Sequence, residues 1–258
     1  MTGSSGHVRV EVLHQFRLTV EGEVVPLSDG SERLVGCLAV ADRPHVRSSL
    51  AGALWPDRTE QEAQASLRRA LWRLNRDVPG LLEQGPTYVG LCHHVEVDLR
   101  EVYAVAESPP AEDGPCDRGV IRMLEGDLLP HWSYDWLDGR RESLRQLRLH
   151  TLESLARADL EAGRTTLALM TALSAVGLDP LRESAQRIVI AVHIAEGNTA
   201  EAIRQYVAFR DLLWAELQLR PGSQLRAMLP EPASRRTASE RRAADVRRPH
   251  RQAAGTSA

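Results

Sequence analysis

The amino-acid sequence predicts an α+β domain over residues 7–98, followed by an all-α domain over residues 99–230. Polar and apolar residues alternate after His7, which is typical of β-strands with one buried face. Farther along, Gly163 and Gly197 lie 34 residues apart in similar local sequence. That spacing is typical of tetratricopeptide-like helical repeats, so we expect two parts of different fold class.

The first elements are short strands. Residues 8–12 place valine at every second position, and residues 16–20 repeat the alternation. Glu21-Gly22-Glu23 is a turn signal, and residues 24–27 form a short return strand. Residues 28–30 are expected to be a loop.

Three helices follow. Ser31 is a suitable N-cap for a helix over residues 32–41, in which Gly36 indicates close packing against another element. A short helix over residues 46–55 ends before a proline. The third helix, residues 63–76, contains neither glycine nor proline and is rich in Ala, Leu and Arg, which favour helix.

The third helix separates an apolar face from a basic one. At about 100° per residue, its core-facing positions are Ala63, Leu67, Ala70, Leu71, Leu74 and Val78. The opposite face carries Arg69, Trp72, Arg73 and Arg76. Such a face is either a solvated surface or a recognition surface, since arginine pairs with guanine bidentately and also neutralises phosphate.

Strands over residues 81–84 and 87–91 are joined by Gly85-Pro86, and residues 93–97 are expected to add a last strand. Strands, three helices and a hairpin, in that order, indicate a winged helix. In that fold the second and third helices form the helix-turn-helix, and the third enters the major groove.

The remaining sequence is helical. A connector over residues 125–137 is expected to separate two short helices from a long one. The predicted helices cover residues 99–108, 118–124, 139–162, 165–176, 181–196 and 199–217. Residues 109–115 are expected to be a loop. The tail, residues 231–258, holds seven Arg and three acids with few large apolar residues, so we expect it to be disordered, either solvated or contacting phosphate.

Segments in both halves resemble one family of bacterial regulators. Residues 31–34, 50–57 and 66–74 are similar to the DNA-binding domain of the Streptomyces antibiotic regulatory proteins, which is an OmpR-type winged helix. Residues 125–130, 179–185 and 195–198 are similar to the bacterial transcriptional activation domain of the same family. Together these matches span nearly residues 8–230.

The resemblance implies a sequence-specific transcriptional activator. Such a protein would bind direct repeats in double-stranded promoter DNA and help to recruit RNA polymerase holoenzyme, usually at a secondary-metabolite (antibiotic) gene cluster. The helical half would then mediate homodimer or polymerase contacts. The alternative is a protein-interaction scaffold built on the helical repeats, with a degenerate winged helix.

The residues expected to contact DNA lie on the third helix and around it. Arg69 and Arg73 are assigned to bases, Arg76 to the major groove, and Arg68 and Arg47 to phosphate. Gln84 and Thr87, beside the wing turn, are assigned to the backbone or the minor groove. Trp72 either contacts DNA or packs beneath the wing.

Two features depart from the family pattern. His14-Gln15 replaces a glycine-rich turn, and Asn75 stands where Arg is frequent. Residues 1–98 also hold ten Arg against thirteen acids, which predicts weak non-specific DNA binding and favours the scaffold alternative to that extent.

Composition excludes several function classes. The chain contains no Lys, which excludes a Walker A lysine and any lysine-based catalysis. Three scattered Cys do not form a disulfide framework, and Cys92-His93-His94 lacks a second pair at zinc-ligand spacing. We expect neither a signal peptide nor a membrane span, because the first residues lack an apolar h-region and no apolar run approaches ~18 residues.

We therefore expect a cytoplasmic protein that is not an enzyme and has neither metal nor cofactor. Trp132, Tyr134 and Trp136 are expected to form a packing cluster, with an aromatic ligand site as the alternative.

Overall fold

The computed structural model describes residues 7–107 and 118–229, so the predicted loop over residues 109–115 and the predicted tail lie outside the described residues. The predicted fold class is confirmed. The strands are β1 Val8–Glu11, β2 Arg17–Val20, β3 Glu23–Val24, β4 His45–Val46, β5 Leu82–Gln84, β6 Tyr88–Leu91 and β7 Glu96–Val97. The helices are α1 Asp29–Ala41, α2 Arg47–Leu54, α3 Glu60–Asp77, α4 Asp98–Glu107, α5 Arg118–Glu125, α6 Asp135–Glu161, α7 Thr165–Leu178, α8 Glu183–Ala195, α9 Thr199–Leu217 and α10 Ser223–Ala227.

The strands form two small sheets, in the orders β3-β2-β1-β7 and β4-β6-β5. In the first sheet β1 is antiparallel to β2, with Val10 opposite Leu18, and parallel to β7, with Val10 opposite Val97. The predicted hairpin is present as β5-β6. The strand predicted over residues 93–97 is shorter in the structure, where it is β7 and belongs to the first sheet. The two-residue strand β4 was not predicted, because its pairing depends on distant β6.

The first helix and the long helix both begin earlier than predicted. The first helix begins at Asp29 with Ser28 as N-cap, and Ser31 lies buried inside the helix, where its hydroxyl accepts a hydrogen bond from Ser28. The long helix begins at Asp135, since its first turn already buries Leu137 against the core. The connector is therefore shorter than predicted, covering residues 126–134.

The connector docks against the end of β1. The amide of Leu129 donates to the carbonyl of Val12 at 2.9 Å, and the amide of His14 donates to the carbonyl of Asp127 at 2.7 Å. His14 adopts a left-handed φ of 65°, so the chain makes this turn without the glycine that the family pattern supplies. Buried apolar residues of the sheets, α1–α5 and α6 form one continuous cluster.

Gly36 of α1 lies against the indole of Trp132 in the connector. A Cβ placed on Gly36 would lie 2.4 Å from Cη2 of Trp132, which is well inside contact distance. Trp132 in turn stacks on Phe16 and packs edge-on against Tyr134. The predicted close packing at Gly36 and the predicted aromatic cluster are both confirmed.

We expect Gly36→Ala to destabilise the protein by about 1–3 kcal/mol, because the added methyl group displaces Trp132 from a packed core. Glycine-to-alanine changes within a helix normally stabilise by about 0.5–1 kcal/mol, so the sign is diagnostic. Gly52→Ala in α2 is the matched control, since nothing lies within 4 Å of its added Cβ. Urea unfolding of both variants checks the prediction, and equal effects at the two positions would contradict it.

The repeat helices α6 to α9 pack on one another in sequence order. Gly163 and Gly197 have φ values of 74° and 75°, as helix-ending glycines require. The residues that follow these glycines form equivalent backbone hydrogen bonds. The amide of Arg164 donates to the carbonyl of Asp159, and the amide of Asn198 donates to the carbonyl of His193, both at 2.8 Å. The predicted repeat is confirmed in its local geometry.

Candidate nucleic-acid interface

Helix α3 begins at a reciprocal cap between Thr59 and Glu62. The Thr59 hydroxyl accepts from the amide of Glu62 at 3.4 Å, and the Glu62 carboxylate accepts from the amide of Thr59 at 3.0 Å. The hydrogen bonds from Thr59 lower the pKa of Glu62. The predicted helix omitted this turn, although a threonine followed three residues later by a glutamate is a recognisable start signal.

The inner face of α3 is buried as predicted, from Ala63 to Leu74, and Val78 closes the helix against the same core. Ser66 is also buried, and its hydroxyl donates to the carbonyl of Glu62 at 2.8 Å. This burial holds α3 at a fixed rotation. The residues of its other face therefore have a defined direction.

The outer face is exposed and basic. The side chains of Arg68, Arg69, Arg73 and Arg76 are exposed, and Trp72 is 61% exposed. Arg76 lies over the Trp72 ring at 4.8 Å, and its ion pair with neighbouring Asp77 raises its pKa. Within the described residues, no carboxylate lies within 4.0 Å of Arg68, Arg69 or Arg73. The helical half therefore leaves this face open.

The wing, which is the β5-β6 hairpin, lies on one flank of this face. The Gln84 amide donates to the side-chain oxygen of Asn75 at 2.8 Å and accepts from Arg47 at 3.0 Å. The amide of Arg47 also donates to the carbonyl of Thr87 at 2.9 Å. These bonds join the start of α2, the end of α3 and the hairpin, so Arg47 and Gln84 are held by protein contacts while Thr87 is exposed at the turn.

Asn75 therefore has a role that sequence reasoning missed. In the sequence it was only a departure from a frequent arginine, whereas the structure shows it anchoring the wing through Gln84. An amide at this position can both donate and accept, which an arginine cannot. The fold alone provides this information, because nothing local connects residues 75 and 84.

The structure also bears on the Cys/His cluster and on membrane spans. His93 and His94 lie edge-on at 5.7 Å, and no group of three His, Cys, Asp or Glu in the described residues is placed to hold a metal ion. Among the described helices, none is long and apolar enough to cross a membrane.

Comparison with known proteins identifies the helical half. Residues 117–231 match the model of the bacterial transcriptional activator domain. The regulatory protein AfsR of Streptomyces coelicolor is 27% identical over 235 residues, which are 85% of this chain and 24% of that protein. The protein of the same name from Streptomyces griseus is 26% identical over 214 residues, which are 77% of this chain and 22% of that protein.

Residues 117–231 are thus similar to a bacterial transcriptional activator domain, and most of the chain is similar to regulatory protein AfsR. The chain spans about a quarter of the length of the curated relatives it matches. Its fold is also that of Mycobacterium tuberculosis EmbR, solved in complex with a low-affinity phosphopeptide. That match has a TM-score of 0.66 and 19% identity, and it covers 93% of this chain and 70% of that one.

Proposed function

We propose that this protein binds promoter DNA sequence-specifically through α3 and activates transcription. The observation that carries the proposal is the exposed basic face of α3, which no carboxylate of the described helical half neutralises. Arg69, Arg73 and Arg76 lie at helical spacings of four and three residues, so they span about 10 Å along one side of the helix. That length matches about three base pairs in the major groove.

The proposed contacts divide between bases and backbone. Arg69 and Arg73 contact base edges and Arg76 lies in the groove beside Trp72, which contacts DNA or sugar. Arg68, Arg47 and Gln84 approach phosphate from the wing side, and Thr87 reaches the backbone or minor groove from the turn. If about four phosphates are neutralised, log Kd should change with log salt with a slope of about 3.6.

The helical half is proposed to make homodimer contacts on direct repeats and to help recruit RNA polymerase holoenzyme. The similarity to regulatory protein AfsR supports a regulatory role. We propose further that the chain activates a secondary-metabolite (antibiotic) gene cluster and acts in the cytoplasm. The chain matches only 24% of the length of the Streptomyces coelicolor protein, so this proposal draws on the matched region alone.

We expect Arg69→Ala and Arg73→Ala each to weaken binding to a footprinted promoter fragment by about tenfold to a hundredfold, since each bidentate base contact contributes about 1–3 kcal/mol. Binding to a scrambled duplex should change much less. Arg68→Ala should weaken both duplexes about equally, because a phosphate contact carries no sequence information. Fluorescence anisotropy at a fixed low salt concentration measures all three.

Arg210→Ala on α9 is the matched control, since this exposed arginine pairs only with neighbouring Asp211 among the described residues. It should leave both affinities unchanged. Specific binding that survives in both Arg69→Ala and Arg73→Ala would show that α3 is not the recognition helix. A wild-type chain that shifts no fragment upstream of its neighbouring genes would favour the interaction-scaffold alternative.

A further inference from the structure

A cleft of about 1000 Å³ lies on the flank of α3 opposite the wing. One wall is formed by α3 and the loop that precedes it, and the other by the start of α1, the end of the connector and the first turn of α6. The cleft therefore lies where the DNA-binding half meets the activation half. The proposed DNA contacts use only its rim.

The lining of the cleft is rich in arginine. Its lining includes Arg33, Arg58, Arg69 and Arg73, and none of them lies within 4.0 Å of a carboxylate in the described parts of the chain. Three aspartates, Asp29, Asp57 and Asp135, also line the cleft. The lining residues by themselves therefore carry one net positive formal charge, which suits a single anionic group better than a polyanion.

Two of these guanidinium groups converge on one atom. Arg58 donates to the Ser66 hydroxyl oxygen at 2.9 Å, and Arg69 donates to the same oxygen at 3.2 Å. Ser66 is buried and uses its own proton on the carbonyl of Glu62, so it brings no negative charge to the pair. Two cations held this close repel each other, and a carboxylate between them would relieve the repulsion with charge-assisted hydrogen bonds.

The facing wall carries two aromatic rings. Tyr134 and Trp136 stack with ring centroids 6.0 Å apart and an interplanar angle of 10°. Arg33 covers the Tyr134 ring at 4.9 Å and donates to the carbonyl of Leu54 at 2.9 Å, which fixes the wall relative to α2. A wall of this kind favours planar, apolar ligand groups.

We propose that the cleft binds a planar aromatic monocarboxylate. The carboxylate lies between Arg58 and Arg69, and the ring packs on the side of Tyr134 and Trp136. Because Arg69 and Arg73 also belong to the proposed DNA surface, an occupied cleft weakens DNA binding. This last consequence rests on the proposed function, whereas ligand binding itself does not.

The test uses the full chain and 2-naphthoate, with 2-naphthamide as the neutral match of the same shape, in isothermal titration calorimetry. We expect saturable 2-naphthoate binding with a Kd of about 1 mM or tighter, as for other ligands of this size. The amide should bind at least about fivefold more weakly, since it has no negative charge to form charge-assisted hydrogen bonds with the two guanidinium groups.

Variants then locate the site. Arg58→Gln and Tyr134→Leu should each raise the Kd for 2-naphthoate at least about fivefold. Arg58→Gln removes a charge that pairs with the carboxylate, and Tyr134→Leu removes a ring that packs on the ligand. Arg68→Gln is the matched control, because it removes an exposed arginine of α3 that does not line the cleft. Thermal unfolding of each variant confirms that it is folded. Absent 2-naphthoate binding, equal binding of acid and amide, or equal weakening by Arg58→Gln and Arg68→Gln would each overturn the site.

A second arm separates this proposal from the proposed function. Saturating 2-naphthoate should weaken promoter binding by the wild-type chain at least about fivefold, and should do so less in Tyr134→Leu. Ligand binding by a chain that binds no promoter would uphold the cleft and contradict the DNA function. Ligand binding with unchanged promoter affinity would overturn the coupling.

Discussion

Replacing Asp98 with alanine should lower the free energy of unfolding by about 3 kcal/mol, because the change leaves buried backbone donors without an acceptor. The Asp98 carboxylate accepts from the amide of Leu13 at 2.9 Å and from the amide of Val12 at 3.0 Å. Its side chain is buried at the point where β1 ends, β7 ends and α4 begins. Burial raises the pKa of Asp98, and the two amides oppose that rise.

Urea unfolding measures the loss, and Asp98→Asn should lie between wild type and Asp98→Ala, since it keeps one acceptor oxygen. Glu101→Ala is the matched control on the same helix. Its exposed carboxylate pairs with Arg9 at 2.7 Å, so its removal should cost about 0.5 kcal/mol. Equal losses for the two alanine variants would mean that Asp98 does not hold the end of β1.

Glu153 of α6 should make the free energy of unfolding depend on pH. Its contribution should exceed that of any exposed carboxylate of the repeat helices. Glu153 is 2% exposed and accepts from the Ser184 hydroxyl at 2.6 Å, from Arg182 at 2.5 Å and from Arg157 at 3.0 Å. Burial alone would raise the pKa of Glu153, but the hydrogen bonds from Arg182 and Ser184 and the charges of Arg182 and Arg157 together lower it.

Because the folded pKa lies below the unfolded value, the stabilisation by Glu153 is complete above the unfolded pKa and is lost as pH falls through the folded pKa. We expect Glu153→Gln to cost about 3 kcal/mol at pH 7, since it removes the buried counter-ion of the partly buried Arg182. The difference between wild type and Glu153→Gln should then shrink as pH is lowered from 7 towards 3. Denaturant unfolding across that range measures it.

Glu142→Gln provides the comparison on the same helix. Arg145 and Gln146 lower the pKa of Glu142 to about 2, but its side chain is 58% exposed. Water and salt screen such a pair, so its removal should change stability at pH 7 far less than the loss of Glu153 does. A gap between wild type and Glu153→Gln that stays constant with pH would contradict the assigned ionisation.

The candidate interface was largely predictable, because the signals for it are local. The apolar and basic faces of α3 follow from helical periodicity, and burial of Leu67 and Leu71 leaves Arg69 and Arg73 on the outside. The glycine ends of the repeat helices were predictable for the same reason. Their conformation depends on the few residues around Gly163 and Gly197.

Long-range pairing could not be predicted in the same way. Nothing near residue 45 indicates that β4 pairs with β6, and nothing near Asp98 indicates that its carboxylate receives the amides that end β1. The roles of Asn75 as a wing anchor and of Ser66 as the meeting point of two arginines likewise depend on residues from separate elements.

The sequence by itself determined most of the helices and strands, which face of α3 is basic and where the repeat turns. Only the tertiary structure decided that the connector packs against α1 and β1 and thereby creates an arginine-lined cleft beside α3. The physical reason is range. Periodicity and capping act over one or two turns of chain, whereas burying Trp132 on Gly36 and closing a cleft require surfaces that meet only after folding.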